Sequence, residues 1–200
     1  EKFIASHFNS NVVIYDVPVG KLTVKKATSK INKNAKNTAI LEGDKVVLKK
    51  TGDKVITNKQ VQSYFESQHT RYPSHKKWNF KNETLLKARD KLNQIKDRQV
   101  KYTVNGKNFV FKRAEVFSNV SYENDKYVFS DTKILEDKIN NINKEVATLH
   151  KSYDFQLPNG QTTKVKNESY GWAINEKKLV AAVENALADN VKELNGKNYI

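Results

Sequence analysis

The stretch Tyr170-Gly171-Trp172-Ala173-Ile174-Asn175-Glu176-Lys177-Lys178-Leu179 decides how this chain is read. An aromatic pair flanks a glycine, and a short strand reaches Ile174. Asn175 stands where a helix N-cap accepts a hydrogen bond from the first turn. Leu179, Val180, Val183 and Leu187 then recur on one helical face. The order is strand, cap, helix, and an apolar stripe of this kind needs a sheet or a second helix to cover it.

Working outward, the preceding residues supply such partners. Tyr153, Phe155 and Leu157 alternate into Pro158-Asn159-Gly160, and Thr163 and Val165 lead out again, as in a hairpin. Before that hairpin, Ser130 or Asp131 starts a long helix with Leu135, Ile139, Ile142 and Val146 on one face. Two further hairpins are expected upstream. One joins Val120–Tyr122 to Tyr127–Phe129, and the other turns at Asn105-Gly106 between Val100, Tyr102 and Val104 and Phe109 and Phe111. Asn82 is placed to cap a helix whose stripe is Leu85, Ala88, Leu92 and Ile95.

The N-terminal part repeats the same vocabulary. Val12 to Tyr15 reads as a strand, broken by Asp16 to Gly20. Thr23 caps a helix over roughly 23–34 with Leu22, Val24, Ala27 and Ile31 at near-helical spacing. Ala39–Leu41 and Val46–Leu48 flank turn chemistry at Glu42-Gly43-Asp44-Lys45. Thr57 with Gln60 is a capping box, and Ile56 with Val61 is a hydrophobic staple across it. His69 to Phe80 reads as a linker. The expectation is an α+β protein of two modules, 1–80 and 81–200, each built of amphipathic helices packed on antiparallel hairpins and sheets.

The Tyr-Gly-Trp-x-Ile-Asn pattern at 170–175, leading into its helix, resembles the N-terminal peptidoglycan-binding domain that precedes the catalytic domain in Gram-positive L,D-transpeptidases. Ile14-x-Asp16-Val17-x-Val19-Gly20-Lys21-Leu22-Thr23, with Ala27 following, resembles the start of modules in the same extracellular families. The likeness is strongest from about residue 82 to 188. It implies a non-catalytic region that holds a C-terminal transpeptidase domain at peptidoglycan, in an extracellular, wall-associated setting. A membrane would then be reached only through an anchor outside these residues. The chain has no methionine, so it is expected to be a fragment of a longer product.

The transpeptidases that the chain resembles use a cysteine nucleophile beside a histidine. Zero cysteines exclude that reaction here, along with disulfides and thiolate-ligated zinc. His7, His69, His75 and His150 lack the spacing that places two ligands on one helical face, so neither metal nor cofactor is expected. No Gly-x-Ser-x-Gly elbow or phosphate-cradling glycine loop is present. Carboxylates gathered from distant positions, as in a glycan hydrolase, remain an alternative.

The charge points elsewhere. Lys and Arg number 36 against 22 Asp and Glu, giving +14. Only Arg71, Arg89, Arg98 and Arg113 are arginines. Lysine is a solvated point charge, whereas arginine is favoured for bidentate base contacts, so no specific nucleic-acid partner is expected. Between residues 21 and 59 there are 11 lysines against 3 acidic residues. Lys21, Lys25, Lys26, Lys30, Lys49 and Lys50 are the candidate patch for a polyanion such as teichoic acid, or else a solvated face. Tyr170 and Trp172, two apart in a strand, either line a groove that stacks on sugars or anchor the last helix to its sheet. Trp78 is either a contact residue or a plug. A spacer with no ligand is the remaining alternative.

Overall fold

The computed structural model describes residues 5–68, 76–147, 152–166 and 172–200. The chain is α+β and divides into two compact units, Glu1–Ile40 with Lys45–Asn93, and Leu41–Asp44 with Gln94–Ile200.

The first part of the chain forms β1 (Val12–Ile14), β2 (Val17–Pro18), α1 (Val24–Asn34), β3 (Thr38–Glu42), β4 (Lys45–Lys49), α2 (Asn58–Ser67), β5 (Trp78–Phe80) and α3 (Glu83–Ile95). The break expected after Tyr15 is a two-residue turn, with Tyr15 and Asp16 both at positive φ. β2 returns antiparallel on β1, pairing Ile14 with Val17. β5 lies parallel to β1 on its other side, Val12 facing Trp78 and Ile14 facing Phe80. This corrects the linker expectation for Trp78–Phe80, because three residues behind a basic, Pro-containing run are too few to show a period. His69 to His75 lie outside the described residues.

Local signals place the helices. Thr23 accepts from the Lys26 amide at 3.3 Å, and Thr57 and Gln60 form the reciprocal capping box. Asn32 ties α1 to the segment before α2: its amide donates to the Ile56 carbonyl, and its oxygen accepts from the Val55 and Ile56 amides. The core gathers Phe8, Val12, Ile14, Val19, Ile31 and Val61, with Phe65, Tyr64, Trp78 and Phe80 against it. Burying an aliphatic side chain of this size fully contributes about 1.5–3 kcal/mol, so several such residues outweigh any single cap.

The second unit contains β6 (Gln99–Val104), β7 (Lys107–Lys112), α4 (Arg113–Val116), β8 (Asn119–Glu123), β9 (Lys126–Phe129), α5 (Lys133–Val146), β10 (Ser152–Gln156), β11 (Thr162–Lys166), α6 (Glu176–Asp189), β12 (Glu193–Asn195) and a closing 3₁₀ turn, Gly196–Tyr199. Asn105 and Gly106 take φ of 51° and 72° between β6 and β7, as the mirror-image turn favoured in tight hairpins requires. Asn124 and Asp125 do the same between β8 and β9. β12 pairs parallel with the free side of β6, Leu194 facing Tyr102. This strand and α4 carry no periodic signal and are additions to the expected elements. The sheets are thus not all antiparallel.

α5 is capped at Thr132, one or two residues later than expected, with the Asp131 carboxylate accepting from the Lys133 amide. Leu135, Ile139, Ile142 and Val146 are all buried, as are Leu179, Val183, Ala186 and Leu187 of α6. Val180, expected on that inner face, is half-buried, and Ala186 takes the inner position. Residues 172–175 are not a strand, contrary to the sequence reading. They are held without a ladder, the Ile174 amide donating to the Asn143 side chain at 2.9 Å and the Asn175 amide to the Tyr199 carbonyl at 2.7 Å.

Arg113 is fully buried in this unit. Its Nε donates to the Lys96 carbonyl and its Nη1 to the Phe117 carbonyl, each at 2.9 Å. Desolvation lowers its pKa from the ordinary arginine value, opposed by the Asp97 and Asp44 carboxylates. The guanidinium links the segment after α3 to the residue after α4, two stretches with no ladder of their own.

Candidate functional site

The first unit carries a cleft of about 580 Å³, within the range of small-ligand pockets. One wall is the tight turn, where Tyr15, Asp16, Val17 and Pro18 line the opening. Left-handed backbone is costly for a bulky residue, and the structure restrains it. The Tyr15 amide donates to the Phe80 carbonyl at 2.8 Å, and its hydroxyl lies 3.4 Å from that of Tyr64. Burial, reinforced by Tyr64, pushes the Tyr15 phenol well above the usual tyrosine range, so it stays neutral. Asp16 follows, exposed and without a hydrogen bond or ion pair among the described residues.

The second wall comes from the end of α1. Lys30 and Asn34 line it, with Lys36 just beyond the helix. The Lys30 ammonium donates to the Pro18 carbonyl at 2.7 Å, so it braces the turn. Leu48 of β4 contributes an apolar patch. The third wall is the start of α3, where Lys81, Asn82, Leu85, Leu86 and Arg89 face the opening. Asn82 caps this helix by accepting from the Leu85 amide at 3.2 Å. Arg89 lies 3.5 Å from Asp90, both well exposed, and such a pair holds weakly. Lys36 and Lys81 have no partner among the described residues. The cleft therefore combines aliphatic walls with four cations and one carboxylate.

Beside it runs an aromatic row. Tyr15 and Tyr64 meet edge to face, Tyr64 and Phe80 lie 4.6 Å apart, and Trp78 stacks on Phe80 at 16°. Trp78 is half-buried and packs on the core, with the Lys76 ammonium 4.1 Å from its ring centroid. Its Nε1 is buried without a partner among the described residues.

Of the residues singled out from sequence, the cleft takes only Lys30. Lys25 and Lys26 lie on α1, Lys21 precedes it, Lys49 ends β4 and Lys50 follows it, all exposed. Trp172 is half-buried just before α6. Tyr170 and Gly171 lie outside the described residues. Sequence reading missed Asp16, Lys36, Lys81, Leu86 and Arg89. The one signal that bore on them was the Leu85-Leu86 pair, since a helix stripe places only one of two adjacent leucines inward. Among the described residues no group of three or more His, Cys, Asp or Glu is placed to hold a metal.

Comparisons with known proteins bear on these observations. No curated protein matches the chain. Among solved structures, an Enterococcus faecium L,D-transpeptidase, crystallised as a cysteine-to-serine mutant, aligns at 17% identity and a TM-score of 0.38, covering 53% of this chain and 42% of that one. The Ldtfm–avibactam carbamoyl enzyme aligns at 18% identity and 0.39, covering 53% and 41%. The chain thus spans about two fifths of the length of these structures. Residues 78–195 match the family described as "Putative peptidoglycan binding domain". That span is more than half of the sequence, and the chain belongs to this peptidoglycan-binding domain family.

Proposed function

We propose that the chain is a non-catalytic wall-binding region that holds a transpeptidase catalytic domain of the L,D type against peptidoglycan, outside the cell. The family match over 78–195 carries this reading. The absence of cysteine from the sequence supports a non-catalytic role, because the reaction of the resembled enzymes needs a thiolate. No helix among the described residues is long and apolar enough to cross a membrane, and the proposal places any membrane anchor outside these residues. Tyr170, Trp172 and Trp78 are the candidate glycan contacts.

The exposed lysines favour a second contribution, diffuse attraction to anionic wall polymers such as teichoic acid. Co-sedimentation with purified Gram-positive sacculi, before and after teichoic acids are stripped and at low and high salt, separates the two. Retention that survives both treatments is the expected result for a peptidoglycan site. Retention lost on stripping or in high salt reduces the role to charge attraction, which screens within about 10 Å at 0.1 M salt. No retention under any condition leaves a spacer and refutes the proposal.

A further inference from the structure

We propose that the cleft of the first unit binds a short zwitterionic peptide, with Lys36, Lys81 and Arg89 holding its carboxylates and Asp16 holding an ammonium group. The inference rests on the wall-binding reading and names the peptide part of the wall, rather than the glycan, as the ligand of this cleft.

Three observations lead there. First, the cations are spread over two walls of an open cleft rather than along one helix. Lys36 follows α1, while Lys81 and Arg89 belong to the start of α3. Such a placement engages a compact ligand from two sides, whereas a diffuse attraction needs only an exposed lysine face. Second, the space between them is aliphatic. Pro18, Leu48, Leu85 and Leu86 line it, and they offer alkyl side chains a surface on which to leave water. A polyol–phosphate chain has little apolar surface to bury there. A sugar ring would instead find its best partner in an aromatic face, and only Tyr15 among the lining residues is aromatic.

Third, Asp16 opposes the cations. Its carboxylate repels a pure polyanion but complements a zwitterionic peptide that carries both ammonium and carboxylate groups. The position is also conformationally costly. Asn-Gly suits this turn far better than Tyr-Asp, yet side chains occupy both sites at φ of 52° and 62°. Tyr15 is tied down by Phe80 and Tyr64, while Asp16 is left pointing no bond at its neighbours among the described residues. Backbone cost retained beside a cleft fits a binding role.

The test uses the full chain, ¹⁵N-labelled, titrated with a synthetic tetrapeptide of Ala, Glu, Lys and Ala with free termini. Parallel titrations use the same peptide with every carboxylate amidated, poly(glycerol phosphate) and a chitin oligosaccharide. The expected result is that the free peptide shifts the amides of Asp16, Lys36, Lys81 and Leu86, and that amidation abolishes the effect. Lys36→Glu with Lys81→Glu should weaken the peptide by about tenfold or more, since each removes a charge-assisted contact. Lys25→Glu with Lys26→Glu makes the same change in net charge on residues that do not line the cleft, and should leave affinity unchanged. Both double variants alter exposed side chains with no described partner, and circular dichroism confirms that they fold.

Equal loss in both double variants, unaltered binding of the amidated peptide, or tighter binding of poly(glycerol phosphate) or the oligosaccharide at the same amides would each overturn the assignment. Sacculi retained without any peptide binding would remove the cleft proposal and leave the wall-binding reading standing. Peptide bound in the cleft without retention of sacculi would do the reverse.

Discussion

Replacing Arg113 by methionine removes the guanidinium while keeping a long side chain in a fully buried site. Two opposing effects decide the outcome. The charge is desolvated, its Nη2 has no partner among the described residues, and buried charges often cost more than they return. Against that, Nε and Nη1 each donate at 2.9 Å to the carbonyls of Lys96 and Phe117, and hydrogen bonds from a charged donor contribute about 1.5–3 kcal/mol each. The carbonyls belong to the backbone and stay behind when the arginine leaves, so methionine strands both acceptors. The second effect should prevail, with a net loss of about 2–4 kcal/mol. In thermal terms that is on the order of 10 °C for a unit of this size. Urea unfolding and calorimetry of the wild type and Arg113→Met measure it. Arg113→Lys should fall between them, because a single ammonium lacks the fork that reaches both carbonyls. A methionine variant as stable as the wild type, or more so, would show that the buried charge is a net liability and that the clamp is not what joins these segments.

Three further outcomes are expected. Tyr102 is fully buried with its hydroxyl unpartnered among the described residues, so Tyr102→Phe should gain about 1 kcal/mol in urea unfolding. Desolvation, helped by Tyr199, raises its pKa to about 12. The unfolded chain therefore ionises first, and stability present below pH 10 falls as pH rises toward 12; that fall should be smaller in the phenylalanine variant. A Cβ at Gly196 would sit 2.5 Å from the Val104 Cβ and 2.6 Å from the Thr103 carbonyl oxygen, so Gly196→Ala should cost about 1–3 kcal/mol and raise amide exchange in β12 first. Asp16→Gly should relieve the left-handed backbone and stabilise the first unit by about 0.5–1 kcal/mol, while weakening binding of the zwitterionic tetrapeptide in the titration described above.

What was legible in the sequence was local. Thr57 with Gln60, Asn82 and Asn175 announce their helices because a cap and the amide that donates to it lie within one turn. Asn105-Gly106 announces its hairpin because the turn tolerates few other pairs. β5 and β12 were hidden, since three residues show no period and their partners lie far away in the chain. The cleft was hidden for the same reason. Asp16, Lys36, Leu48, Lys81 and Arg89 come from four separate stretches, and a count of lysines along the chain favours α1 as a whole over the residues that face one space. The strand expected before α6 failed differently: Trp172 to Ile174 have the composition of a strand, but the Ile174 amide is bound by the Asn143 side chain and the following Asn175 amide by the Tyr199 carbonyl.

Each unit completes a sheet with a parallel partner delivered late. Val12 waits for Trp78, and Tyr102 waits for Leu194. Chains emerge from synthesis N-terminus first, at about 5–20 residues per second, so β1 and β6 spend seconds as open edges before their partners exist. The β1–β2 and β6–β7 hairpins form quickly on their own account, whereas closure waits on long loops and sets the pace. An interrupted chain ending before Glu193 would carry all of β6 and β7 yet present an unpaired strand edge, a ready template for association with other chains. Glu193–Asn195 thus marks the point in synthesis at which the open edge of β6 can close.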